Sequence, residues 1–359
     1  MSNYIEYNDK MAFHPGYYIK EIIDESGLTQ EDFAKRLDTT PKNLSLLIRG
    51  EQSLSIDIAT KLSRMMDTSV LYWLNLQNDY DAVIAEALSD EMLVKEKKIY
   101  NVLDYSYFVK CFDLSESVGG LEDRIRELRR FLNVSSLTVL EKENLAVSFR
   151  SETPHLSDDE RIKANAMVQI ATNTALINGV PKFNKKLFEE TIDYALTLTD
   201  KPDFYQDIHK AFLKAGVRLV VIPNLSDSQT NGATKKIGNG IMLMVNDRGS
   251  YADSFWFTLF HEIGHIINGD FGISVEKEKG AKEKIANEFA RNALIPNGKY
   301  KEFVNSGDFS SKAIKSFAKT IRRDPGIVAG RLVHDGLVKY NNKSINTLRN
   351  TYKICRSVH

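Results

Sequence analysis

The chain has 359 residues, 42% of them hydrophobic and 27% charged, with 48 Lys and Arg balanced by 48 Asp and Glu. At roughly 100–200 residues per domain, this length suits two or three domains and at least one substantial core. A formal net charge of zero excludes a protein that coats nucleic acid through bulk electrostatics, and equally an acidic disordered tail, so any DNA contact must be local. No window approaches 18 uninterrupted apolar residues, and Met1 to Phe13 carries Glu6, Asp9 and Lys10 where an export leader would be apolar. With only Cys111 and Cys355, and no Cys-x-x-Cys spacing, neither a disulfide framework nor a thiolate zinc site is encoded. A cytoplasmic protein with no membrane partner is expected.

From Phe13 to Leu88 the pattern is a run of short helices. Pro15 stands where a first-turn proline is tolerated, and Tyr18, Ile19, Ile22 and Ile23 form an apolar stripe that stops at Gly27. Thr29 can cap a second helix, with Asp32 three residues on and Phe33, Ala34 and Leu37 facing inward. After Asp38-Thr39-Thr40, Pro41 opens a third helix that ends at Gly50. Its buried set is Leu44, Leu47 and Ile48, which leaves Lys42, Asn43, Ser45 and Arg49 as donors for phosphates and base edges. Two short helices joined by a tight turn are what a helix-turn-helix needs. Further helices over Ser55 to Met66 and Ser69 to about Leu88 would close the bundle. Residues 11–80 carry seven Lys and Arg against ten Asp and Glu, yet Thr39 to Gly50 holds no acid. Positive surface is thus confined to the third helix; on the residues alone, a protein-interaction bundle is the alternative.

His14-Pro15-Gly16, Leu28-Thr29-Gln30, Phe33-Ala34-Lys35-Arg36-Leu37 and above all Trp73-Leu74-Asn75-Leu76-Gln77 followed by Tyr80-Asp81 resemble the HigA-type antitoxin branch of the Xre/lambda-repressor helix-turn-helix family. The resemblance implies a dimeric operator binder, antitoxin-like, whose recognition helix is Pro41 to Arg49. In that family Gln30 and the residues around Lys42, Asn43 and Ser45 face DNA; with Thr40 and Arg49 they are the candidate DNA contacts.

Residues 89–204 read as charge-rich helices (Leu121 to Leu132, Asp158 to Ile177, Lys185 to Leu198). Arg124, Arg126, Arg129 and Arg130 alternate with Glu122, Asp123 and Glu127, as on a solvated face paired along its own helix.

Val217 to Ile222 and Ile241 to Val245 are short β-rich runs, with Gly232-Ala233-Thr234 as a third strand between them. The small sheet precedes Ser254 to Asn268, an apolar helix containing His261-Glu262-Ile263-Gly264-His265. One turn separates the histidines, so both imidazoles leave the same face and can ligate one tetrahedral Zn²⁺. Glu262, about 100° round the helix, can take a proton from a water that zinc acidifies towards a pKa of about 7. An apolar helix does not bury three such groups unless they are paired or metal-bound. The next helix, Glu278 to Ala293, offers Glu278, Glu283 and Glu288 as a third ligand. Glu283 lies three residues before Ala286 on the stripe of Ala286, Phe289 and Ala290, and is selected on that ground. Tyr300, His334 and Tyr340 are candidate oxyanion donors. The strand Ile241 to Val245, its Met242 and Met244 half in the core, is a candidate for pairing with a peptide substrate.

Phe257-Thr258-Leu259-Phe260-His261-Glu262-Ile263-Gly264-His265, together with Glu283, Ala286-Asn287, Phe289-Ala290 and Leu294-Ile295-Pro296, resembles the ImmA/IrrE family of gluzincin-like metallopeptidases, over roughly residues 205–335. The resemblance includes a short helical tail at Ala329 to Val338. It implies His261, His265 and Glu283 as Zn²⁺ ligands and Glu262 as general base. Ile285 departs from the pattern, since many members have a glutamate there. Family members often act on helix-turn-helix repressors. The expected fold is mainly α with a small β-sheet (α+β): a lambda-repressor-like helix-turn-helix domain over 11–88, a helical connector over 89–204, a peptidase core over 205–300 and a C-terminal helical tail over 301–359. The expected protein is a homodimeric DNA-binding regulator whose zinc endopeptidase cleaves itself or a partner repressor. The alternative is an antitoxin-like binder of DNA and a small toxin, with the metal domain as sensor or scaffold.

Overall fold

A computed structural model describes residues 3–116, 119–143, 156–177, 179–248, 250–275 and 280–352. The chain divides into two compact units, Met1–Lys95 and Glu96–His359. Among the described residues no helix is long and apolar enough to cross a membrane. Cys111 is half-buried, and Cys355 lies outside the described residues.

The first unit opens with an antiparallel hairpin that the sequence reading missed, β1 (Tyr4–Tyr7) and β2 (Lys10–Phe13). Its turn residues Asn8 and Asp9 have φ of 49° and 60°, the left-handed pair whose twist matches that of the flanking strands. There follow α1 (Pro15–Ser26), α2 (Gln30–Arg36), α3 (Pro41–Ile48), α4 (Ile56–Met66) and α5 (Val70–Leu103). Thr29, Thr40 and Ser55 accept from the amides of Asp32, Asn43 and Ile58, each satisfying a first-turn N–H that has no helical carbonyl. Ile19, Phe33, Leu37, Leu44, Leu47, Leu62 and Trp73 fill the core; a buried Leu or Phe contributes about 1.5–3 kcal/mol. The Trp73 to Gln77 run is structural. Trp73 Nε1 donates to Thr68 Oγ1 at 2.9 Å, and buried Gln77 accepts the Leu54 amide at 2.8 Å. α5 continues to Leu103 instead of ending near Leu88, because no Gly or Pro interrupts it and Ala, Glu, Leu and Lys dominate its second half.

The second unit contains α6 (Tyr105–Phe112), α7 (Leu121–Leu132), α8 (Asp158–Leu176), α9 (Lys185–Leu196), α10 (Tyr205–Lys214), β3 (Val217–Ile222), β4 (Thr230–Ile237), β5 (Gly240–Asn246), α11 (Ala252–Asn268), β6 (Gly272–Val275), α12 (Ala281–Leu294), α13 (Asn297–Asn305), α14 (Ser311–Ile321), α15 (Pro325–His334) and α16 (Lys343–Asn346). The sheet order is β3-β5-β4-β6, with β5 parallel to β3 and the other pairs antiparallel. Ile241, Leu243 and Val245 of β5 share a core with Phe255, Trp256 and Leu259 of α11. Met242 and Met244, on the alternate face, are fully buried rather than half in the core. The expectation that this strand binds a peptide fails, since β5 is hydrogen-bonded on both edges. Its uniform apolarity marks a strand covered on both faces.

Residues 96–204 belong to this same unit, and α8 packs on β3, β4 and β5. The arginines of α7 depart in part from the expected solvated face. Arg126 pairs with Asp123 along the helix, but Arg124 lies over the Tyr105 ring and Arg129 grips Glu96, which is fully buried and also accepts the Leu137 amide. The C-terminal segment closes on the start of α11: Arg349 meets Asp253 at 2.8 Å, both largely buried, and Trp256 Nε1 donates to the Tyr352 hydroxyl.

Candidate metal centre and DNA-binding helix

α11 ends at Gly269, whose φ of 75° lets its amide turn back onto the His265 and Ile266 carbonyls. Inside the helix His261 and His265 face the same way, their Nε2 atoms 3.1 Å apart. α12 packs against α11 and brings Glu283 to them, with Oε2 3.0 Å from His261 Nε2 and Oε1 3.1 Å from His265 Nε2. That approach depends on Gly264, where a Cβ would stand 3.1 Å from Phe289 and 3.2 Å from the Ala286 Cα. All three side chains are buried, and their donor atoms lie within 4.8 Å of one another. Donors on a tetrahedral ion with bonds of about 2.0–2.1 Å stand about 3.3 Å apart. Two imidazole nitrogens and a carboxylate at this spacing fit a divalent metal with one position left open. Burial alone would raise the Glu283 carboxyl, but when His261 and His265 are protonated their hydrogen bonds and charges outweigh it and hold the group down to about 2; a bound metal would displace the protons on the two Nε2 atoms.

In the first unit Gln30, Thr40 and Lys42 are exposed, and Asn43 and Ser45 are half-buried. Thr40, Lys42 and Asn43 line, with Lys35 and with Lys61 paired to Asp38 and Asp57, an open groove of about 830 Å³. Arg49 is engaged at the other end of α3. Its guanidinium makes two 2.9 Å bonds to Glu51 and a third to Ser45 Oγ. The stretch that holds no acid therefore has its last cation matched by an acid just outside it, and Lys42 is the charged donor α3 itself presents.

Residues 19–73 match the helix-turn-helix family, and residues 215–317 match a peptidase family described as IrrE N-terminal-like domain. The uncharacterized HTH-type transcriptional regulator YddM of Escherichia coli (strain K12) is 37% identical over 83 residues, which are 23% of this chain and 88% of that protein. The chain belongs to the HTH-type transcriptional regulators. Virulence-associated protein I of Dichelobacter nodosus is 31% identical over 80 residues, 22% of this regulator and 74% of that protein. A Pseudomonas aeruginosa protein solved in complex with its operator DNA is 28% identical over 24% of this chain and 90% of that one, with a TM-score of 0.22.

Several residues around the regulator's candidate metal centre were not assigned from sequence. Asn287 Oδ1 accepts from His261 Nδ1 at 3.1 Å, which fixes the tautomer that leaves a lone pair on Nε2. Its signal was present: it follows Glu283 by one helical turn on the same face. Ser274 Oγ of β6 lies 3.4 Å from His261 Nε2, so the sheet's edge strand borders the site. Glu262 is fully buried and fits only because β4 has a glycine opposite. A Cβ at Gly232 would stand 2.7 Å from both Glu262 Cγ and Oε1, beside a shift in the β4-β6 register. A glycine inside a strand is the sequence mark of such close approach.

Of the other carboxylates considered, Glu288 is exposed and Glu278 lies outside the described residues. Ile285, the departure from the family pattern, is 53% exposed on the outer face of α12. The candidate oxyanion donors are engaged elsewhere or exposed. Tyr300 donates to Asp335 at 2.8 Å, His334 meets the other oxygen of Asp335 at 3.0 Å, and Tyr340 is 70% exposed.

Proposed function

We propose that this regulator binds operator DNA as a homodimer through α3, and that its second unit is a zinc-dependent endopeptidase that cleaves the chain itself or a partner repressor, so that proteolysis ends repression. The observation that carries the reading is the buried His261, His265 and Glu283 set with Glu262 on the same helix, next to a strand with an open edge. Zn²⁺ held by those three side chains would supply Lewis acidity to a peptide carbonyl and acidify water.

The chain's own residues do the rest. Glu262 takes the proton of the attacking water as the new C–O bond forms, and returns it to the amine as the C–N bond breaks. Asn287 keeps His261 in the binding tautomer. Among the described residues β6 is paired on one edge only, with β4; an extended peptide adds to its other edge, where backbone hydrogen bonds give affinity with little dependence on side chains.

The test is full-length protein with one equivalent of zinc, wild type against Glu262→Gln, followed by mass spectrometry and by gel shift on the chain's own promoter region. The expected result is cleavage in the wild type, reduced about 10²–10⁴-fold in the variant, with equal zinc content and loss of the shift only where cleavage occurs. Wild-type protein that holds zinc, cleaves neither itself nor a co-expressed repressor, and co-purifies with a small toxin would replace the peptidase reading by that of an antitoxin with a metal sensor.

A further inference from the structure

A pocket of about 520 Å³ opens in the second unit where the β4-β5 turn, the segment around Phe183 and the last turn of α11 meet. It is the size of a small-molecule site, and the metal centre does not use it. Its floor is apolar, formed by Ile241 and Ile266 with the half-buried Phe183 and Phe271. Its rim carries Lys182, Lys185 and Lys236, and no Asp or Glu lines it.

The three cations differ in what holds them. Lys185 donates to the Ile267 carbonyl at 3.0 Å, at the helix end where carbonyls attract positive charge, and has Glu189 at 3.9 Å on its own helix. Lys236 stands over the Phe271 ring, 4.8 Å from its centre, a contact that steers an ammonium without neutralising it. Neither Lys182 nor Lys236 has an ion-pair partner among the described residues. The nearby Asp270 is taken by Lys282 at 3.1 Å. Lys185 thus has a carboxylate on its own helix, whereas Lys182 and Lys236 line an apolar hollow that no acid lines, where an anion would meet two positive charges.

The wall is built in advance of any ligand. The Phe183 amide donates to the Asn239 carbonyl at 2.8 Å and the Asn184 amide to the Ala215 carbonyl at 2.9 Å. Gly240 lies so close to this segment that a Cβ would stand 2.5 Å from the Pro181 carbonyl.

We propose that this pocket binds a small amphipathic anion, with a phosphate or carboxylate held by Lys182 and Lys236 and an apolar body seated on Phe183, Ile266 and Phe271. An acyl carboxylate and a nucleotide both have this chemistry.

The experiment is a fluorescence titration of the full chain with anilinonaphthalene sulfonate, an aromatic body carrying one anion. One saturable site is expected. Lys182→Glu/Lys236→Glu should weaken it about tenfold or more, and Lys182→Gln/Lys236→Gln less. Lys299→Glu/Lys301→Glu, which alters exposed lysines of α13, should leave it unchanged. Displacement by laurate identifies an acyl body and displacement by AMP a nucleotide, and either supports the proposal. It is overturned if both Lys182/Lys236 variants, folded by circular dichroism, bind the probe as the wild type does, if neither laurate nor AMP displaces it, or if duplex DNA alone competes.

Discussion

His261 Nδ1 donates to Asn287 Oδ1 across 3.1 Å, while the opposite nitrogen of the same ring meets the Glu283 carboxylate at 3.0 Å. One helix thus supplies both the partner that orients the imidazole and, a turn earlier, the carboxylate beside it. Partners of this kind set the tautomer and basicity of a ligand, and their loss costs about 10–100-fold in metal affinity. Asn287→Ala should therefore weaken zinc binding by that factor in competition with a chromogenic chelator, and Asn287→Asp should restore most of it. Unchanged affinity in the alanine variant would remove the orienting role.

Gly232→Ala separates metal binding from base catalysis. The three atoms nearest the added methyl all belong to Glu262, so zinc content should stay at one equivalent while cleavage falls about as far as in Glu262→Gln, by about 10²–10⁴-fold. Full activity in Gly232→Ala would mean that the Glu262 carboxylate is not held where β4 leaves room for it.

Glu51 restrains Arg49 at the end of α3. Exposed pairs of this type contribute little to stability, so Glu51→Gln should leave the fold intact and release the guanidinium for a phosphate. The expected outcome is tighter binding to non-cognate duplex, with a log K against log salt slope steeper by about one unit. A slope identical to wild type in gel-shift titrations would show that Arg49 stays away from the backbone even when freed.

His14 makes the start of α1 sensitive to acid. Its ring is buried against Tyr80 and its Nδ1 accepts the Gly16 amide at 3.0 Å. Burial lowers its pKa below the usual 6.5, and this outweighs the opposing effects of Asp81 and the Gln52 backbone. The folded state therefore binds the proton less readily than the unfolded chain. The stabilisation is complete above about pH 6.5 and is lost as pH falls from there through the folded value. Amide exchange in α1, corrected for intrinsic rates, should accelerate between pH 7.5 and 5.5 in the wild type and stay level in His14→Asn, which keeps a capping acceptor that does not titrate. Equal acceleration in both would point to another group.

Local order was legible wherever one element sufficed. The cap at Thr29 follows from a hydroxyl preceding an apolar stripe, and the shared face of His261 and His265 follows from four-residue spacing on a helix. Glu283 could be picked from its neighbours because the stripe of α12 must face α11. These features depend on the period of one helix, which neighbouring residues determine among themselves.

What tertiary structure decided is which groups meet across elements. Ile241 to Val245 could be read as a strand, but only the pairing order made it central and put β6 at the edge of the sheet among the described residues. Gly232 was a strand glycine until β4 was seen to lie against Glu262, and Asn287 a helix residue until His261 came within hydrogen-bond reach. The arginines of α7 resembled a solvated face, yet Arg129 serves a buried carboxylate 33 positions away. Composition and periodicity report how each residue relates to its own helix or strand. Distances of about 3 Å between side chains far apart in sequence depend on how the elements dock, a property of the packed core as a whole.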